Sequence, residues 1–208
     1  SAPSAPPVGV RLQLLLIAFS FGAFFEGASG FGTPVAITGA VLIGLGFSPL
    51  AASGLSLIAN TAPVAFGALG TPVITLAAVT GLDLLDLSAT VGRQLTPFCI
   101  LVPFWLIWAF VGFRKMLEIW PAILVAGASF AIPQFLISNY HGPWLVNVVA
   151  AICSMAGLAL FLKVWQPKNP MTTMPSGFAA EGHVEADSGA PQAGGSGGLR
   201  VWAPWAIL

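Results

Sequence analysis

A single carboxylate, Glu26, stands inside the apolar stretch FGAFFEGASGFGTPVAIT and is followed closely by Gly27, Ser29, Gly30, Gly32, Thr33 and Pro34. An acidic side chain costs about 2.5 kcal/mol or more to place in a bilayer on insertion scales, so one that is kept there usually faces a cavity and has a function. Taking up and releasing a proton is the chemistry open to it, which makes Glu26 the candidate proton-coupling residue. The structural alternatives are a cap on the following helix or a position near the membrane surface.

The pattern Phe31-Gly32-Thr33-Pro34-Val35 recurs 38 residues on as Leu69-Gly70-Thr71-Pro72-Val73. Thr before Pro reads as a helix start, with the threonine oxygen capping orphan amides and proline in the first helical position. The preceding glycines expose backbone, so each copy offers free N–H groups and the positive end of a helix dipole, which suits a small carboxylate. Ser29 and Gly30 in the first interruption, and Asn60 and Thr61 in "ANTAP", add polar contacts. Arg93 brings a guanidinium fork that can grip a carboxylate, although arginine at a helix end commonly snorkels to the headgroups. The candidate substrate-binding set is therefore Ser29, Gly30, Gly32, Thr33, Asn60, Thr61, Gly70, Thr71 and Arg93, against a reading in which the glycines serve close helix packing alone. Asn147 reads as an interhelical hydrogen-bonder, and Asp83, Asp86 and His141 as solvated. No catalytic residue and no metal ligand set is assigned.

The elements that must position these residues follow from composition. Of 208 residues, 57% are hydrophobic and 7% charged, and mean hydropathy is +0.91, against roughly 25% charged residues in a soluble domain. The chain reads as an integral membrane protein. Seven basic and seven acidic side chains cancel, which leaves no basic face for nucleic acid. Cys99 and Cys153 fall in apolar runs and read as packing.

A crossing needs about 20 apolar residues, and simple spans are expected at about 94–113, 119–137 and 144–162. Arg114, Lys115, Lys163 and Lys168 flank these spans on one side, and the turn SNYHGP on the other carries no Lys or Arg. The positive-inside rule makes the Arg114 loop and everything after Lys163 cytoplasmic, with Asn139 to Pro143 external. Leu12 to Phe47 as one helix would run about 54 Å, too long for a ~30 Å crossing. The run is therefore expected to break at EGASGFGTP, after a half-helix about 20 Å deep, and the same problem recurs over Pro49 to Leu82. The domain reading is an irregular piece at 1–10, a transmembrane region at 11–165 with broken helices over 11–82, a disordered cytoplasmic linker at 166–199, and the start of a further span at 200–208. The sequence begins without Met and stops in an apolar run, and it reads as an internal fragment. The fold class is all-α: a polytopic helical membrane protein with discontinuous or re-entrant helices, one half of an inverted-repeat transporter.

Taken in order, FGAFFEGASGFGTPVAIT, ANTAPVAFGALGTPV, VGRQLTPF, GASFAIPQF and LFLKVWQP resemble the bacterial L-lactate permease family from about Leu14 to Pro167. The resemblance implies a multi-pass protein of the bacterial inner (plasma) membrane that takes up L-lactate, and also D-lactate and glycolate, with protons. It implies no cofactor beyond the coupling proton. The partners it implies are a small carboxylate and membrane lipid, with homo-oligomerisation left open. Alternatives are a transporter of another organic anion, a passive channel, and a rhomboid-like intramembrane serine protease using Ser29, since Gly27-Ala28-Ser29-Gly30 fits Gly-x-Ser-Gly. The protease would need a histidine within hydrogen-bond reach of the serine, and His141 in a surface turn is poorly placed for that.

Overall fold

The computed structural model describes residues 9–30, 32–165, 167, 174–175 and 177–180. These fold into helices joined by short turns, with one isolated backbone bridge between Phe47 and Ala179. Residues 1–8, most of the expected linker and the expected further span at 200–208 lie outside this description.

Helix α1 spans Val10–Ser29, twenty residues, and is π-helical over Leu15–Phe21. At 1.5 Å per residue it is about 30 Å long. This corrects the expected half-helix. The run does not stop at Phe25 but carries Glu26 on its last turn and ends at Gly30, whose φ of 93° an L side chain resists. Helix α2 (Thr33–Gly44) and helix α3 (Pro49–Asn60) are each twelve residues, about 18 Å, and too short to cross. They form a hairpin. Thr38 Oγ1 lies 2.6 Å from Pro34 O, to which it donates, and 2.9 Å from Ser56 Oγ, so buried hydroxyls join the two arms.

Residues 61–67 form irregular turns, followed by a 3-10 turn at Ala68–Gly70 and helix α4 (Thr71–Thr80). Helix α5 (Leu84–Val111) begins ten residues before the expected span, because Asp83 Oδ1 accepts from the amides of Leu85 and Asp86 at 2.9 and 3.0 Å. Asp83 is a helix cap. Its 28 residues contain Pro97 and Pro103. The short helix α6 (Phe113–Leu117) then leads to α7 (Trp120–Tyr140) and α8 (Val146–Val164).

Close packing of α5, α7 and α8 depends on small residues. A Cβ at Gly127 would sit 3.1 Å from Ile100 Cα, and one at Gly157 2.9 Å from Ser129. This is the packing by which helices associate where lipid removes the hydrophobic drive. Phe19, Phe130, Leu106, Ile107 and Ile123 fill the interior. Outward-facing Phe98, Leu101, Trp105, Trp108 and Val164 are exposed apolar surface of the kind a hydrocarbon environment favours.

The ends of the bundle are distinct. At one, Arg11 is buried and donates to Lys115 O at 2.7 Å and to Glu118 Oε2 at 2.8 Å. The α2–α3 turn also lies at this end, with Phe47 against Phe110. Part of the segment expected as disordered linker packs here. Phe178 lies edge-on to Phe110, its carbonyl accepts from Ser48 N at 2.8 Å, and Ala180 N donates to Gly46 O at 3.0 Å. The opposite end gathers the 139–145 turn, the start of α8 and the two Gly-Thr-Pro segments.

Candidate functional site

Glu26 is fully buried, and neither carboxylate oxygen has a hydrogen-bond partner among the described residues. The chain places it at the crossing of α1 with the start of α8. A Cβ at the adjacent Gly27 would lie 2.8 Å from Asn147 Cβ and 3.0 Å from the Val148 amide nitrogen, so only glycine admits this approach. Asn60, at the last position of α3, turns its amide to the Glu26 carboxyl, though no well-aligned bond forms between them. Its Oδ1 is buried and unpartnered as well.

Asn147 fastens the irregular 61–67 stretch to this crossing. Its Nδ2 donates to Pro63 O at 2.6 Å, with Gly67 O at 3.5 Å, while its Oδ1 is left without a donor. On the far side of the same stretch, Cys99 Sγ lies 3.8 Å from Ala62 O and donates to Gln134 Oε1 at 2.6 Å. Gln134 Nε2 is buried without an acceptor. Polar groups from α1, α3, α5, α7 and α8 thus surround one short irregular segment. Buried polar atoms without partners are rare because each costs about 1–3 kcal/mol, so a concentration of them calls for an explanation.

The two sequence copies share one backbone design. Gly32 (φ 82°, ψ −24°) and Gly70 (φ 81°, ψ 8°) both cap their helices in the left-handed region, with Pro34 and Pro72 inside the first turn. Glycine, not threonine, is the cap. Thr33 and Thr71 are the first helical residues, which corrects the expected capping role of their side chains. A left-handed cap needs a residue without Cβ, and at Gly70 an added Cβ would also strike Pro143 at 2.6 Å. The copies also meet. A Cβ on Gly30 would touch Ala68 Cβ at 3.0 Å, and these two residues occupy the same position of the repeat.

The other candidates are more dispersed. Ser29 is exposed, and its Oγ donates to Phe25 O at 2.7 Å. Thr61 Oγ1 donates to Ile58 O at 2.7 Å and Thr71 Oγ1 to Ala68 O at 2.5 Å; each hydroxyl keeps its acceptor lone pairs for a ligand donor. Arg93 lies inside α5, and its Nε donates to Asn139 Oδ1 at 2.8 Å. No described contact joins it to Glu26 or to the threonines. The His141 ring packs on Trp144 with centroids 6.2 Å apart, and no described contact pairs it with Ser29.

Asn147 and Gln134 are the residues that sequence reasoning did not place at the site. Gln134 had a legible signal, a polar side chain beside Pro133 in an apolar run. Asn147 was legible as a polar residue of a span, but its carbonyl partners at Pro63 and Gly67 come from irregular backbone.

Four of the described helices, α1, α5, α7 and α8, are long and apolar enough to cross a membrane. Together with the short helices α2, α3 and α4, which interrupt the chain beside a buried carboxylate, they define an all-α, multi-pass membrane protein with discontinuous helices. The L-lactate permease family model matches residues 8–208, and the chain belongs to that family. It is 55% identical over 203 residues to the glycolate permease GlcA of Escherichia coli K12, and 51% identical over 205 residues to the L-lactate permease of Bacillus subtilis 168. The L-lactate permease of Halalkalibacterium halodurans is 39% identical over 201 residues. Each alignment covers 95% of this chain and 36% of the relative, so the chain spans about a third of the length of these curated relatives. No solved structure matches it.

Proposed function

We propose that the chain contributes to a secondary transporter that imports L-lactate and similar 2-hydroxymonocarboxylates, D-lactate and glycolate among them, with protons across the bacterial plasma membrane. The observation that carries this reading is the Glu26 carboxyl, sealed from water, without a partner, and set beside two glycine-capped helix starts in a permease-family chain. Glu26 carries the coupling proton. The starts at Gly32-Thr33 and Gly70-Thr71 hold the substrate carboxylate through free amides and the positive dipole ends. Ser29, Gly30, Asn60 and Thr61 supply polar contacts for the rest of the molecule, and Arg93 joins them if its bond to Asn139 opens.

Alternating access is the mode of transport that this architecture supports. A buried carboxyl exchanges its proton with one side at a time, and the short α2–α3 hairpin and the 61–70 segment are the elements that can shift without moving a whole span. The test is labelled L-lactate accumulation by the full-length protein in membrane vesicles. A symporter concentrates lactate when the outside is acid and loses the gradient when a protonophore is added. Equilibration without accumulation would instead identify a passive channel.

A further inference from the structure

The acceptors around Glu26 outnumber the donors. Four buried oxygens, both of Glu26 and the Oδ1 atoms of Asn60 and Asn147, lack a hydrogen. The amide of Asn147 is committed to Pro63 O and packed against Gly27, so it is not free to turn. Asn60 is different. Its side chain is held by no described bond to another residue and faces the carboxyl. An amide is ambivalent: Nδ2 donates and Oδ1 accepts. Asn60 is therefore the described neighbour that can bond both forms of Glu26. It donates to the carboxylate through Nδ2 and, turned over, accepts the O–H of the protonated acid through Oδ1.

Its position gives that turn a consequence. Asn60 closes α3, and the chain continues directly into 61–67 and the Ala68–Gly70 turn that opens α4. The elements packed on this half of α1 are α2, α3, the Ala68–Gly70 turn and α8. Their titratable or charged side chains are Cys153 and Lys163, both on α8, with Lys163 in its last turn at the end away from Asn147. On α1 itself Arg11 lies at the other end, bonded to Lys115 O and Glu118. No charged side chain of these elements therefore stands beside Glu26 to respond in place of Asn60.

We propose that Asn60 is the positioning residue of the proton step, turning its amide over as Glu26 gains and loses a proton and so passing the protonation state to the segment that carries the Gly70-Thr71 start. The proton comes from the water on one side and leaves to the other, and no bond is made or broken except the carboxyl O–H. The inference rests on the reading of Glu26 as the proton carrier, and the experiment separates the two.

The test measures labelled lactate uptake by the full-length protein in membrane vesicles as a function of external pH, together with lactate–lactate counterflow at one acid pH. Asn60→Leu, which keeps the size but neither donates nor accepts, is expected to move the uptake midpoint by about one pH unit, tenfold in proton concentration, whatever change the loss of a substrate contact makes in counterflow half-saturation. Asn60→Gln, which keeps the amide, is expected to recover most of the midpoint. In a Glu26→Gln background Asn60→Leu is expected to have no further effect on the pH profile. If Asn60→Leu does not reach the membrane, Asn60→Ala gives the same comparison. An unmoved midpoint, whatever the counterflow affinity, would overturn the proposal and leave Asn60 a substrate contact alone. Proton-driven accumulation that survives Glu26→Gln would overturn the reading beneath it.

Discussion

At the scale of single residues, the site is defined by what its polar atoms lack. Glu26 was legible in the sequence because one carboxylate in an apolar run carries a high cost on its own. Its neighbours were not, since Asn60 and Asn147 are brought to it by the folding of α3 and α8 rather than by any spacing along the chain. The two threonines test the anion site. Thr33→Val and Thr71→Val keep the helix starts, because glycine supplies the caps. Each is expected to raise the lactate half-saturation of uptake by about fivefold, the ~1 kcal/mol of one neutral hydrogen bond accepted from the substrate hydroxyl. Wild-type half-saturation in both would remove these hydroxyls from the site. Asn147→Leu leaves Pro63 O without its buried donor and is expected to lower stability by about 1–3 kcal/mol, read as a loss of thermal stability in detergent.

At the scale of elements, the sequence located the interruptions and misjudged their depth. Proline and glycine mark where a helix cannot continue, so the breaks at Gly30–Gly32 and Gly70 could be read directly. Helix length could not, because polar residues look like ends. Glu26 reads as the close of a half-helix, yet burial against α8 carries α1 one turn further to Ser29. Likewise Asp83 and Asp86 read as part of a connection before the span, whereas Asp83 caps a helix that runs through Asp86 and Arg93. The π-helical turns at Leu15–Phe21 had no sequence signal; there Ser20 and Ser154 hydroxyls meet at 2.8 Å across α1 and α8. The α1–α8 crossing beside Glu26 is set by one missing side chain. Gly27→Ala places a methyl against Asn147 Cβ and the Val148 backbone, neither of which is a flexible side-chain end, and overpacking of this kind costs about 1–3 kcal/mol. Thermal unfolding is expected to fall accordingly, while Gly54→Ala, with open space around it inside α3, does not lower it, because alanine is the better helix former.

At the scale of the whole bundle, the two ends are built differently. One end is fastened by the Arg11–Glu118 ion pair and the Lys115 carbonyl, which tie α1 to the connection before α7. The other end holds Glu26, the paired helix starts and the irregular segment between them. Arg11→Met is expected to loosen the first end, seen as faster amide exchange over 113–119, without altering exchange at Asn147. A chain that matches about a third of its relatives' length still contains a buried carboxyl and two glycine-capped helix starts, and the proposal places coupling in this part of the transporter. The direct measurement is pH-gradient-driven L-lactate accumulation by the full-length Glu26→Gln protein beside the wild type. The expected result is loss of accumulation with lactate–lactate exchange retained, and accumulation at the wild-type level would contradict the assignment.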